Sequence, residues 1–298
     1  MLLGSPLLAS SCVSTHAGRV YGPTAIGGDL RRFVELTLTL ARTEFKLRYF
    51  GSVLGYLWSL FRPLLFFGIL YLFFTRIIGI GKGTPHYGVY LLTGIVLWNY
   101  FGEATGNCVT CLVAREGLLR KMRFPRLVVP LSVSLTATFN LAMNFVAVVV
   151  FALADGLTPT IRWLELIPII GGFVVLGTGF GMLLSALYVR FRDVAPIWEV
   201  ALQAWFYASP IMYPASSYGS HSRVSFGSKA LEHAALVNPV ATLLTQMGHA
   251  MIGGSEFPAA ASAGGFVSCA IAIALIPALF IAGWWVFARE APRVAENL

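Results

Sequence analysis

The chain has 298 residues, of which 57% are hydrophobic and only 11% charged, and its mean hydropathy is +0.76. Soluble domains carry about 25% charged residues, so this chain has too little charge to cover itself in water. Its apolar stretches exceed the ~20 residues that cross a hydrocarbon core of about 30 Å. That makes it an all-α polytopic membrane protein and excludes a barrel of short alternating strands.

In chain order, residues 1–28 read as a flexible cytoplasmic extension. The apolar run in "MLLGSPLLASSC" is broken by Gly4, Ser5 and Pro6, and no basic residue precedes Arg19, which is a poor pattern for a cleaved signal. One membrane domain then fills 29–298. Its first element is a helix over 29–50. Leu30, Phe33, Val34, Leu38, Ala41 and Phe45 lie largely on one stripe, and Arg31, Glu35, Arg42 and Lys46 on another. Glu44 and Arg48 can pair at i,i+4. The pattern fits an amphipathic helix in the membrane interface, with a solvated helix free of lipid as the alternative.

Six spans follow, over about 57–80, 87–113, 127–153, 164–189, 195–213 and 262–287. Orientation comes from the cations in the links. Before the first span lie Arg19, Arg31, Arg32, Arg42, Lys46 and Arg48. The 2–3 link holds Arg115, Arg120, Lys121, Arg123 and Arg126, the 4–5 link Arg190 and Arg192, and the tail Arg289 and Arg293. The other side has Arg76, Lys82, Arg162, Arg223 and Lys229, so fifteen cations face five. Both termini and the 2–3 and 4–5 links are expected in the cytoplasm. The net charge of +8 therefore reflects topology and not nucleic-acid binding.

The 2–3 link, 114–126, carries more charge than topology requires. Glu116 and Arg120 are four apart, Leu118, Leu119 and Met122 can form an apolar patch, and Phe124-Pro125 ends the helix because proline disfavours helical geometry in the residue before it. A short helix with an apolar patch ringed by cations suits a groove on a partner. Simple positive-inside anchoring fits the residues equally well.

Catalytic chemistry finds little support. Asp29, Asp155 and Asp193 are scattered, the five histidines form no ligand-spaced set, and Cys108 and Cys111 sit three apart on one helix, where a disulfide is geometrically poor. A phosphate-cradling loop needs G-x-x-x-x-G-K-[ST]. "RIIGIGKGT" (76–84) has Arg76 and Gly83 at two of the required positions, and "GTGFGM" (177–182) suits close helix packing inside a span. Any ATP-driven motor must then be another polypeptide.

Inside the spans, Glu103 is the sharpest polar residue. A mid-membrane carboxylate costs about 2.5–3.5 kcal/mol, so it should face water or the bundle interior. It can line a pathway, or it can pair structurally with Arg62, Asn140 or Asn144. Glu199 and Gln203, four apart, pose the same choice. Two aromatic clusters, Trp98, Tyr100, Phe101 and Trp205, Phe206, Tyr207, can stack on the apolar faces of sugar rings or can simply pack.

Six stretches, in order, carry a resemblance: "LRYFGSVLGYLWSLFRPLL" (47–65), "LLTGIVLWNYFGEA" (91–104), "LLRKMRFPRLVVPLS" (118–132), "YVRFRDVAP" (188–196), "SPIMYPAS" (209–216) and "VNPVATLL" (237–244). The chain resembles the membrane permease subunits of ABC-2 type exporters, in the polysaccharide branch. The resemblance implies that 114–126 (Arg115, Glu116, Leu118, Leu119, Arg120, Lys121, Met122, Arg123, Phe124, Pro125) is a coupling helix docked on a separate ATPase subunit. It implies that the first helix is an interfacial gate helix (Arg31, Arg32, Phe33, Arg42, Lys46) and that Arg190, Arg192 and Asp193 form a second cytoplasmic contact. The 209–250 region would be external and re-entrant, and an aromatic-lined channel would use Trp98, Tyr100, Phe101, Glu103, Trp205 and Tyr207. It further implies a bacterial inner-membrane homodimer, ATP and Mg²⁺ held by the partner subunit alone, and a lipid-linked polysaccharide of O-antigen, teichoic acid or galactan type as cargo. A drug or lipid permease, and a membrane enzyme acting on lipid-linked sugar, are the alternatives.

Overall fold

Proline and glycine punctuate the apolar runs and mark several of the helix ends. The computed structural model describes residues 30–49, 55–79, 84–117, 125–214 and 233–290. The extension over 1–28 and residues 118–124 of the 2–3 link lie outside the described residues, as does most of the external stretch before 233. The described chain is helical: α1 Leu30–Tyr49, α2 Gly55–Leu72, α3 Tyr87–Ala114, α4 Val128–Ala154, α5 Leu166–Arg190, α6 Val194–Ala208, α7 Pro239–Met251 and α8 Ala260–Glu290.

Among the described residues, four segments are both long and apolar enough to cross a membrane: Leu57–Ile78, Val128–Ala154, Ile161–Arg190 and Ala260–Glu290. The first includes a π-helical turn, Phe73–Ile78, that stops at Gly79 with φ 82°. α3 is long enough at 28 residues, but it is less apolar because it does not need lipid. It is buried without a break from Tyr87 to Trp98, packed between α4 and α5 with α2 and α6 alongside. A helix half enclosed by protein tolerates polar residues that lipid would not, and its exposed Asn99, Asn107 and Thr110 lie beyond the buried stretch.

The span expected over 195–213 is shorter than that. α6 has 15 residues and stops at Ala208, about 22 Å of helix. Pro210 is the reason: Ser209 before it takes extended geometry, φ −101° and ψ 146°. The irregular backbone that follows hangs from α3. Tyr87 donates to the Met212 carbonyl at 2.6 Å, and the Tyr90 hydroxyl donates to the Pro210 carbonyl and lies 3.2 Å from that of Tyr213. Further on, Asn238 caps the buried α7 through the Val240 amide at 3.1 Å, with Pro239 at the first helical position.

α5 and α8 pack along their length, and glycine sets how closely. A Cβ on Gly283 would stand 2.2 Å from the Gly179 carbonyl oxygen, and one on Gly179 would stand 2.7 Å from the Phe280 Cα. The glycine-rich "GTGFG" run thus serves close helix packing. α8 also breaks near its start, where Gly265 takes φ 74°. At the opposite end from the 114–126 link, His86 meets Asp155 at 2.7 Å and ties the start of α3 to the end of α4.

α1 lies against α4. Its packed stripe is Phe33, Thr37, Ala41, Phe45 and Tyr49, a strict four-residue repeat, of which Thr37, Ala41 and Tyr49 are buried. The Phe45 ring lies 5.1 Å from Tyr49 and 5.7 Å from Phe139. Leu30 and Leu47 remain 69% and 71% exposed, so α1 keeps apolar surface that this chain does not cover.

Candidate functional site

α4 presents Ser132, Thr136, Asn140 and Asn144 at four-residue spacing, hence on one face. Hydroxyls on a helix normally bond back to the preceding turn. Ser132 does so to Val129 at 2.8 Å and Thr136 to Ser132 at 2.9 Å. Their remaining capacity faces α1 and the end of α3. Arg115, the first residue after α3, donates to Ser132 Oγ at 3.2 Å and forms an ion pair with Glu44 of α1. Thr136 lies 3.3 Å from the Ala41 carbonyl and 3.5 Å from Glu44.

Two turns along α4, Asn140 is bonded on both sides. Its amide donates to Glu103 Oε1 at 2.6 Å, and its carbonyl accepts from Tyr49 at 2.6 Å. Arg48 of α1 completes the set by pairing with Glu103. Two ion pairs and one amide therefore join α1, α3 and α4.

The pairs are partly withdrawn from water. Side-chain exposure is 18% for Arg115 and 26% for Glu44, against 41% for Arg48 and 27% for Glu103. Burial lowers the pKa of the Arg115 guanidinium, which nonetheless stays charged as arginines do. A cavity of about 510 Å³ lies between the two pairs, lined by Glu44, Arg48, Asn107, Thr110, Arg115 and Thr136 among others.

This geometry redistributes the expected partners. Glu44 and Arg48 do not pair with each other across one turn of α1: Arg48 reaches Glu103 within α3 and Glu44 reaches Arg115 at its end. Glu103 meets Asn140, as one of the expected alternatives had it, but its cation is Arg48, and Arg62 is exposed on α2. Thr136, Ser132 and Tyr49 went unread in the sequence. The signal for the first two was there, as polar residues every fourth position within an apolar run.

The remaining predicted residues fall in several places. On α1, Arg31, Arg32, Arg42 and Lys46 are exposed and Phe33 is half-buried, with Arg31 paired to Glu35 at 3.0 Å. In the 2–3 link, Arg115, Glu116 and Pro125 are described, and Leu118, Leu119, Arg120, Lys121, Met122, Arg123 and Phe124 lie outside the described residues. Arg190, Arg192 and Asp193 are exposed together between α5 and α6. Arg190 lies over the Phe191 ring at 5.3 Å and Arg192 over Tyr188 at 5.1 Å.

The aromatic candidates divide. Trp98, Tyr100 and Phe101 are 8%, 2% and 0% exposed and face this chain's own interior. Phe101 packs on Phe180 at 5.8 Å and Trp205 at 5.4 Å, and Trp198 stacks on Phe180 at 5.4 Å. Trp205 is half-buried within this cluster. Tyr207, 68% exposed, stands on the surface. It continues a stripe with Glu199 and Gln203, both exposed.

Comparison with known families agrees with this architecture. Residues 35–226 match the ABC-2 type transporter family. An O-antigen export system permease protein, RfbA, of Klebsiella pneumoniae is 33% identical over 186 residues, which cover 62% of this chain and 71% of the relative. RfbA of Myxococcus xanthus is 30% identical over 222 residues, 73% of this chain and 80% of the relative. The chain belongs to the ABC-2 type transporter family, as a multi-pass membrane transport subunit and not an enzyme.

Proposed function

We propose that the chain is the membrane subunit of an ATP-driven exporter that moves a lipid-linked polysaccharide out of the bacterial cytoplasm. Relatives named as O-antigen export permeases support the cargo class. The observation that carries the reading to this chain is the stripe Glu199, Gln203, Tyr207, exposed at four-residue spacing on α6. Such groups in a membrane segment face water or another protein, not lipid. Arg62 is exposed on α2 one turn before Phe66, whose ring meets Phe206 of α6 at 6.1 Å. Arg62 and the α6 stripe thus put polar groups on either side of the α2/α6 contact, and two copies of the chain enclose the path along that stripe. Weak, repeated contacts from amide, phenol and carboxylate suit the hydroxyls of a sliding polymer.

In this reading α3 and α6 complete six passes in the inner membrane, with both termini cytoplasmic. The 114–126 link docks on a separate ATPase subunit that holds ATP and Mg²⁺, and the exposed Arg190, Arg192 and Asp193 make a second contact with it. Two such motors close below two copies of this chain, and the halves switch between two rigid arrangements.

The test is purification from native membranes with ATPase activity assayed in the eluate, beside surface polysaccharide in cells lacking and regaining the chain. Wild type should bring down an ATPase and restore the polymer, and Leu118→Asp/Leu119→Asp should insert but lose both. A chain that purifies alone, with no hydrolysis of ATP, defeats the reading.

A further inference from the structure

α1 is attached to its neighbours unlike any other helix pair described above. α5 and α8 meet at glycine contacts, and α3 is buried without a break only from Tyr87 to Trp98. α1 has apolar contact along α4, but it reaches α3 through the pairs Glu44–Arg115 and Arg48–Glu103. Their spacing does not match. Glu44 and Arg48 are one turn apart, about 6 Å of rise, whereas Glu103 and Arg115 are about 18 Å apart along α3. Two long arginine side chains span the difference, one from each partner. The cavity of about 510 Å³ occupies the space between them. Long side-chain ion pairs beside an open cleft hold α1 in register with α3 without the close backbone contact seen between α5 and α8.

Arg115 is also where α3 ends. Its backbone has left helical geometry, φ −112° and ψ 22°, and its side chain is held by Glu44 on one side and Ser132 on the other. Ser132 follows closely after the link re-enters as α4. Any rotation at the start of the 114–126 link therefore moves a guanidinium already clamped to α1.

From this we infer that Arg115 is a positioning residue that transmits movement of the 114–126 link to α1 through Glu44, with Arg48–Glu103 as the pivot. The inference rests on the reading above, that 114–126 docks on an ATPase subunit. It assigns α1 to the moving part of the transport cycle and gives the atoms that move it.

The test uses the complete transporter with both subunits and measures polymer exported per ATP hydrolysed. Arg115→Glu and Glu44→Arg should each lower that ratio by about tenfold, within the usual range of coupling between sites, and Glu44→Arg, which lies outside the docking link, should leave ATPase recovery intact. The exchanged pair, Glu44→Arg with Arg115→Glu, should restore export and, unlike a pair that only holds the fold, should also restore an ATP-dependent change in maleimide labelling of Leu47→Cys. Should a reversed charge prevent folding, Arg115→Gln removes the charge and leaves a shorter side chain that still donates hydrogen bonds. In that variant, maleimide labelling of Leu47→Cys beside the cavity should lose its response to ATP, while Arg115→Lys keeps it. Single reversals that export at the wild-type ratio, or an exchanged pair that assembles yet stays inactive, overturn the inference alone. A wild-type chain with no ATPase partner overturns the functional reading and takes the inference with it.

Discussion

At the scale of single residues, Asn140 does most to unite the site, because it satisfies Tyr49 and Glu103 at once. Removing one member of a buried hydrogen-bonded set costs more when it strands two partners than when it strands one. Tyr49→Phe should lower stability by about 0.5–1.5 kcal/mol and Asn140→Leu by about 1–3 kcal/mol, read from thermal unfolding of the purified chain. Equal losses would mean that Asn140 is not the shared node. The sequence exposed part of this network. Glu103 stood out as a lone carboxylate in an apolar run, and Asn140 was among its possible partners. Arg48 was hidden by its own neighbour, since Glu44 lies one helical turn away and offers a local pair. Only tertiary contact decides between a partner four residues off and one fifty-five residues off. The two ring clusters left stacking and packing open for a related reason: aromatic residues near one another in sequence do not share a direction, and Phe101 is fully buried whereas Tyr207 is 68% exposed.

At the scale of helices, close approach between α5 and α8 makes its own demand. Gly283→Val adds atoms where the first would lie 2.2 Å from the Gly179 carbonyl. Neither backbone can yield without separating the helices. A loss of about 1–3 kcal/mol, typical of overpacking, should appear as a lower unfolding temperature. Gly171→Ala on α5 is the matched control, because nothing lies within 4 Å of its added Cβ. It should be neutral or gain up to about 1 kcal/mol of helix propensity. Helix positions were largely readable from apolar runs, and α1 follows its four-residue repeat closely. The end of α6 was also written in the sequence, in Pro210, but a count of apolar letters through Met212 passed over it.

At the scale of the whole molecule, polarity sorts the outer faces. α2 and α8 show apolar side chains such as Leu57, Ile69, Phe266 and Ile281, and α6 shows the stripe Glu199, Gln203 and Tyr207 beside exposed Ile197 and Val200. If that second face borders the polymer path, Glu199→Leu/Gln203→Leu should leave ATPase recovery intact and reduce surface polysaccharide several-fold. Unchanged export in that variant would turn the α6 stripe into a contact between copies with no part in the path. Neither composition nor motif order could reveal this sorting, because it depends on which face of α6 the aromatic cluster claims.

The enclosure of α3 reaches back to how the chain is made. Among the described helices it is long enough to cross a bilayer but falls short in apolar character, and the partners that shelter it, α4 and α5, leave the ribosome only after it does. Its lasting seat in the membrane should therefore await later segments. A nascent chain stopped near residue 126 should leave α3 poorly retained. One extended through 190 should hold it, as a glycosylation tag at residue 84 would report during cell-free synthesis on microsomes.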